Sequence, residues 1–203
     1  MDGIEIDGLH ISIMEGVYPP SEDTFLMIDV LKSIEVSGSC LELCSGTGAI
    51  GLVGAGRLDS IIAVDINPLA VENTRSNYLK NNLYAKLCAV AGDLFAPLKK
   101  VDFDLILMNP PYLIDYKGSP KDQSWSGGER GREIIDRFLG SVGDFLSREG
   151  RVIFLQSDLN GIEKSLGRAD SRGMVGKVLR SINFQFESLV VIELKHGKSP
   201  QKD

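Results

Sequence analysis

Apolar residues alternate with polar ones on both sides of Asp7-Gly8 in "IEIDGLHISI", and that dipeptide favours tight hairpin turns, so residues 4–13 are predicted to form a β-hairpin. Ser21 then stands as a helix N-cap. Glu22 and Asp23 fall in the first turn, where the helix dipole favours anions, and Met27, Leu31 and Ile34 share one face, which predicts a helix over 21–34. Short apolar runs next alternate with helical stretches: "CLELC", the helix after "SGTG", "IIAVD", the helix opening at "NPLA", "KLCAVA" and "FDLILMN". This order predicts a parallel sheet covered by helices on both faces. Asn67 as N-cap with Pro68 at the first helical position fixes where the second core strand ends. Ile135, Phe138, Leu139, Val142 and Leu146 repeat at helical spacing, predicting a helix over 131–147 before the strand "RVIFLQ". Glycines interrupt the segment 159–181 and leave no clear element there. "FQFESLVVIELK" reads as two strands turning at Glu187-Ser188, a closing hairpin. The sum is an α/β fold with a seven-stranded, mostly parallel sheet.

Composition narrows the class. The 203 residues, 43% hydrophobic and 25% charged, suit one globular unit with a sizeable core, residues 1–203, in which 1–20 form the hairpin and a lid-like segment. A net charge of −6 offers no global attraction to nucleic acid or an anionic membrane. The acidic start "MDGIEIDGLH" lacks a signal-peptide pattern, and no apolar run reaches the roughly eighteen residues of a membrane span, so a cytoplasmic protein is expected. Cys40, Cys44 and Cys88 lie in strand-like segments without metal-ligand spacing and read as buried free thiols. With two histidines in all, metal hydrolysis and His-dependent nucleophiles start poorly, and no metal site is expected.

The chemistry-bearing residues gather at strand ends. "LELCSGTGAIG" closes the first core strand and opens a helix, so Gly46 and Gly48 let a ligand approach the backbone. Asp65 ends the next strand roughly 20 positions on, where a carboxylate can bind ribose hydroxyls. Asp93 follows the third core strand, and the fourth runs into Asn109-Pro110-Pro111-Tyr112. Ligands bind at the carboxyl ends of strands in open α/β sheets, so Glu42, Gly46, Gly48, Asp65, Asp93 and Asn109 can converge. Glu42 alone could instead pair with a lysine or cap a helix. "SWSGGERGRE" holds Trp125 and Arg132, which either contact a protein substrate or pack on the core and cap the next helix.

Together, the strand-ending acid, Gly-x-Gly, the second acid, Asp93-Leu94 and Asn-Pro-Pro-Tyr resemble a Rossmann-like class I S-adenosylmethionine-dependent methyltransferase acting on an amide or amino nitrogen. "VYPPSEDTF" and "WSGGERGREIIDRF" are similar to the short archaeal and eukaryal branch of the HemK family, the release-factor glutamine methyltransferases. That resemblance implies S-adenosyl-L-methionine as cofactor, with Thr24, Glu42 and the glycine loop bordering its methionine part, Asp65 on the ribose, Asp93 and Leu94 flanking the adenine, and Asn109 at the target nitrogen. It implies a class 1 release factor as substrate, touched by Asn109, Pro110, Pro111, Tyr112 and Trp125, and a small zinc-binding activator protein as partner. Two departures stand out: Cys44 occupies a position that is glycine in many relatives, and the N-terminal helical domain of bacterial members is absent.

Asn-Pro-Pro-Tyr also has a chemical reading. The Asn109 side-chain oxygen and the Pro110 carbonyl can each accept one N–H of a target –NH₂, leaving the nitrogen's third direction facing a methyl donor. Both prolines preset the backbone, and Tyr112 can lie flat against a planar amide. Adenine N6 or a lysine would fit similar acceptors, and retention of the fold as a cofactor-bound scaffold is a further alternative.

Overall fold

The computed structural model describes residues 3–113 and 131–197. The N-terminal hairpin pairs β1 (Gly3–Ile6) with β2 (Leu9–Ser12). Asp7 and Gly8 both take positive φ, 51° and 76°, which is the turn geometry their residue types favour. Helix α1 (Glu22–Ser33) buries Met27 and Leu31 as the spacing predicts. Its N-cap differs: the Ser21 side chain caps no backbone N–H, and its hydroxyl meets the Glu22 carboxylate instead.

The main sheet contains β3 (Ser39–Leu43), β4 (Ser60–Asp65), β5 (Leu87–Ala91), β6 (Phe103–Met108), β7 (Leu146–Ser157), β8 (Met174–Asn183) and β9 (Ser188–His196). They lie in the order β5-β4-β3-β6-β7-β9-β8. The first five are parallel, and β9 and β8 add antiparallel. Helices α2 (Ala49–Gly54), α3 (Pro68–Lys80), α4 (Glu133–Ser141) and α5 (Ile162–Asp170) complete the layers. In α3, Asn67 Oδ1 accepts from Leu69 N at 3.0 Å and Pro68 opens the helix.

Period-two alternation explains why the central strands read as unbroken apolar runs. In β6, Leu105 and Leu107 join one core layer with Met27, Leu31 and Leu52, whereas Ile106 and Met108 join the other with Phe138 and Phe154. Both faces are buried, and each such side chain contributes about 1.5–3 kcal/mol. The chain runs outward from β3 to β4 and β5 and then crosses back to lay β6 against the other side of β3, so a crevice opens at the carboxyl ends of β3 and β6.

Three expectations change. The helix over 131–147 ends at Ser141 and continues as a 3-10 turn, Val142–Phe145; Leu146 already belongs to β7, which is longer than "RVIFLQ". Gly140 and Gly143 weaken the helix there, while strand pairing of Leu146 with Phe103 captures the chain. The closing hairpin pairs β8 with β9, so "FQF" is turn, closed by Phe184 N donating to Glu187 O at 2.7 Å. Strand β8 escapes sequence reading because it is an edge strand, exposed along most of its length and therefore without apolar alternation. Cys40 is buried and Cys44 partly so, but Cys88 is exposed on the edge strand β5.

Candidate active site

Register sets the site. Leu43 pairs with Val64 on one side and Met108 on the other, so Cys44, Asp65 and Asn109 leave the sheet at one level. Above them opens a cavity of about 830 Å³, bordered by Thr24, Gly46, Asp65, Asp93, Leu94, Asn109 and Pro111, with Gly16 and Tyr18 crossing it from the segment after the hairpin. That is the size range of small-molecule sites. A second recess of about 70 Å³ adjoins it, bordered by Tyr18, Asp23, Asn109, Pro110, Pro111, Tyr112 and Leu113. Tyr18, Asn109 and Pro111 border both.

The glycine loop is built around Asp65. Its Oδ2 accepts from Gly46 N at 2.8 Å and its Oδ1 from Asn67 N at 2.9 Å, so the carboxylate is aimed by the backbone of two loops. Burial pushes its pKa above the usual carboxylate range, and those backbone bonds oppose the push. Gly46 has φ 54°, and a Cβ there would project into open space with no atom nearer than 4.0 Å. A ligand can fill that cradle. Gly48 serves packing instead: its Cβ would meet Thr74 Cγ2 at 2.7 Å, and it does not border the cavity.

Glu42 departs furthest from expectation. It is 2% exposed, lies beneath α2 rather than on the cavity wall, and accepts from Gly51 N at 3.1 Å through Oε1. Burial drives its pKa up to about 8, the Gly51 bond opposing and the Asp65 charge adding to the rise. Its Oε2 and the Tyr78 hydroxyl, both crowded against Gly51, have no hydrogen-bond partner among the described residues. Of its two alternatives, no lysine pairs with it among the described residues, whereas helix capping holds, since Gly51 N lies in the first turn of α2.

Asp93 borders the cavity, yet its Oδ2 pairs with Arg137 of α4 at 2.6 Å, which turns that oxygen outward. Leu94 takes φ 48°, a left-handed conformation, and the next residue, Phe95, stacks on Phe145 with ring centroids 4.6 Å apart, anchoring this loop. Cys44 also has positive φ, 56°, and borders the cavity; burial, with the Asp65 and Asp93 charges, raises its thiol pKa.

Asn109 sits between the two recesses. Its Nδ2 donates to Asp23 Oδ2 at 3.0 Å, and its buried Oδ1 has no partner among the described residues. The loop after it is held by Asn160, whose Nδ2 donates to Tyr112 O at 2.9 Å and to Gly131 O at 3.0 Å. Burial and the Asp23 carboxylate raise the Tyr112 and Tyr18 hydroxyl pKa values, keeping both neutral. Sequence reading missed Tyr18, Asp23 and Asn160 as members of this site. The first two stand beside the noted "YPPSEDT", but Asp23 is also a good first-turn residue, and that ordinary role hid it.

Arg132 is structural. It is 8% exposed, donates through Nη1 to Asn160 O, to Gly161 O at 3.1 Å and to Ser165 Oγ at 3.1 Å, and pairs with Asp136 at 2.8 Å. Trp125 lies outside the described residues. No cluster of metal-ligating side chains occurs among the described residues, and no helix among them is long and apolar enough to cross a membrane.

A seven-stranded sheet of this order, with a cavity at the strand termini and an asparagine acceptor beside it, defines a class I methyltransferase core. Residues 20–169 match the methyltransferase small domain family, and the chain belongs to that family. Over 194 residues it is 34% identical to a Methanocaldococcus jannaschii protein provisionally named a protein N5-glutamine methyltransferase, covering 93% of this chain and 96% of that one. It is 31% identical to the human methyltransferase HEMK2, covering 87% and 88% respectively. Among solved structures, that of the E. cuniculi Mtq2–Trm112 complex, responsible for methylation of the eRF1 translation termination factor, superimposes with a TM-score of 0.73 at 25% identity, covering 90% of this chain and 99% of that one.

Proposed function

We propose that this protein transfers a methyl group from S-adenosyl-L-methionine to the side-chain amide nitrogen of a glutamine, in the Gly-Gly-Gln motif of a class 1 peptide-chain release factor. One observation carries the reading: Asn109 borders both the large cavity and the small recess, and its Oδ1 is buried without a partner among the described residues. An unpaired buried carbonyl oxygen costs about 1–3 kcal/mol, and a target –NH₂ entering the recess removes that cost. The named activities of the M. jannaschii relative and of the Mtq2 complex support the choice of amide nitrogen and of release factor.

The large cavity fits the cofactor. Asp65, with a lone pair left on each oxygen, would hold the ribose hydroxyls, Gly46 would leave room for the methionine part beside Thr24, and Asp93 and Leu94 would flank the adenine. When bound, the cofactor supplies an electrophilic methyl carbon on a positively charged sulfur. An amide nitrogen is a weak nucleophile because its lone pair is delocalised, so the protein's task is alignment. Asn109 Oδ1 and the Pro110 carbonyl would each accept one N–H, Tyr112 would lie against the planar amide, and Trp125 would contact the protein substrate. Positioning can supply roughly 7–11 kcal/mol, more than the hydrogen bonds alone.

A net charge of −6 weighs against a nucleic-acid substrate. The Trm112 subunit of the E. cuniculi complex supports a small activator protein as partner, zinc-binding as the HemK resemblance implies. The test uses labelled S-adenosylmethionine with purified release factor, with its Gln→Ala variant and with nucleic acid. Label on the wild-type factor alone is expected, and Asn109→Ala should lower turnover by about 10²–10³-fold. Label on nucleic acid or on a lysine, or none on any acceptor, overturns the reading.

A further inference from the structure

Asp23 is a carboxylate with more donors around it than its place in a helix first turn requires. It is 3% exposed. Its Oδ1 accepts from Thr24 N at 2.6 Å and from Thr24 Oγ1 at 3.2 Å. Its Oδ2 accepts from the Tyr18 hydroxyl at 3.1 Å and from Asn109 Nδ2 at 3.0 Å, and the same carboxylate helps to raise the pKa of the nearby Tyr112 hydroxyl. Thr24 borders the large cavity, whereas Asn109 and Tyr112 border the small recess, so one buried side chain ties the two walls together.

A carboxamide has two nearly isosteric orientations, related by a flip that exchanges oxygen and –NH₂. One presents an acceptor to the recess and the other presents donors. Every group around Asp23 donates to it, so the group of Asn109 that faces it is the –NH₂. Its oxygen is then forced to the opposite side. Asn109 borders both the recess and the large cavity, and its Oδ1 is buried with no partner among the described residues.

We infer that Asp23 is a positioning residue that sets the polarity of the methyl-acceptor site: by engaging the Asn109 –NH₂ it fixes the Asn109 oxygen toward the substrate nitrogen before substrate arrives. The inference rests on the amide-methylation reading above. Asp23 acts through Asn109 and not as a proton acceptor, because Thr24, Tyr18 and Asn109 already donate to it. Preset acceptors of this kind cost no reorganisation during reaction.

An exchange of the two side chains tests this. In Asp23→Asn the Thr24 N–H still demands the oxygen of residue 23, so the new –NH₂ points at Asn109. Asn109 must then turn its oxygen inward and face the substrate with a donor. The kcat on release factor should fall by about 10²–10³-fold while cofactor affinity, measured by calorimetry, stays near wild type. Asn109→Asp alone sets two carboxylates against each other and should lose as much. In the Asp23→Asn/Asn109→Asp double variant the hydrogen bond is restored with its direction reversed, and the free oxygen of residue 109 faces the recess again. Its kcat should exceed that of either single variant by about tenfold or more, a non-additivity that independent sites do not show. A double variant that regains thermal stability but not turnover, or that is no better than the single variants, overturns the inference. A substrate-independent readout separates it from the functional reading: the side-chain –NH₂ resonances of Asn109 should exchange slowly with solvent in the wild type and quickly in Asp23→Ala. Fast exchange in the wild type removes the hub, whereas slow exchange with no methyl transfer to release factor sinks the substrate assignment and leaves the hub standing.

Discussion

Asn77 and Ser12, separated by 65 positions, hold each other by a two-way hydrogen bond: Ser12 N donates to Asn77 Oδ1 at 2.9 Å, and Asn77 Nδ2 donates to Ser12 O at 3.0 Å. Asn81 does the same for His10, at 3.0 and 2.8 Å, and Asn73 accepts from Met14 N at 2.7 Å. Asn73 and Asn77 on α3 and Asn81 at its C-cap, each four residues from the next, thus take the part of a neighbouring strand for alternate residues of the hairpin and the segment after it. Asn67 extends the row by donating to Gly16 O at 2.9 Å, which brings Gly16 and Tyr18 over the cavity.

Asn77→Ala should therefore destabilise the protein by about 2–4 kcal/mol, because it takes the side-chain partner from Ser12 N and from the Thr47 carbonyl, to which Asn77 Nδ2 donates at 2.9 Å, while Ser12 O keeps Asn73 Nδ2 at 2.7 Å. Chemical denaturation measures the loss. Hydrogen exchange should rise first at residues 10–14, and equal protection there before and after the change would show that the ladder holds nothing in place.

Glu42 makes stability depend on pH. Its folded-state pKa, about 8, lies above the ordinary carboxylate value of 4.5, so between those limits the native state binds a proton that the unfolded chain has released. The unfolded state binds fewer protons, and stability falls as pH rises through that window, by up to about 1.4 kcal/mol per unit. Below pH 4.5 this contribution is fully present. Glu42→Gln keeps an acceptor for Gly51 N and brings a donor to the place where Oε2 and the Tyr78 hydroxyl have no partner among the described residues. Unfolding curves of this variant should be flatter between pH 4.5 and 8, and at pH 8 it should be more stable than wild type.

Asp65→Asn should weaken cofactor binding by roughly 10–100-fold, the loss of charge-assisted hydrogen bonds worth about 1.5–3 kcal/mol. Calorimetry with S-adenosylmethionine reads it directly. The fold should survive, since an amide oxygen still accepts from one of the two backbone donors, Gly46 N and Asn67 N.

The three thiols should differ in reactivity. Cys88 is exposed, Cys40 is buried, and Cys44 is held protonated by burial and nearby carboxylates, so a thiol reagent near pH 7.5 should modify Cys88 first and alone in the native state. Mass spectrometry of the labelled peptides checks this. Cys44→Gly should relieve a left-handed backbone that costs a side-chain-bearing residue about 1–2 kcal/mol, raising stability unless lost packing offsets it.

Arg132 belongs to the fold. Arg132→Met leaves Asn160 O, Gly161 O and Ser165 Oγ without their donor and should cost about 3–5 kcal/mol in denaturant, with the KM for protein substrate moving little in the fraction that folds.

The sequence by itself determined the five-stranded parallel part of the sheet and the carboxyl ends of the strands that build the site. Buried parallel strands must be apolar, and helix starts such as Asn67-Pro68 are set by local backbone chemistry, so both are written in neighbouring residues. It also named Gly46, Asp65, Asp93 and Asn109 as neighbours, since strand termini of one sheet converge by topology. Tertiary structure alone decided which side chains face the cavity. Glu42, one residue short of the strand's end, points under α2 because side chains alternate along a strand, and Asp23 turns from the helix dipole to Asn109, 86 positions away, because a buried carboxylate goes where donors converge. The edge strand β8 and the asparagine ladder were likewise invisible: their partners are β9 and the backbone of the hairpin, and no local pattern of polarity announces a hydrogen bond made across the fold.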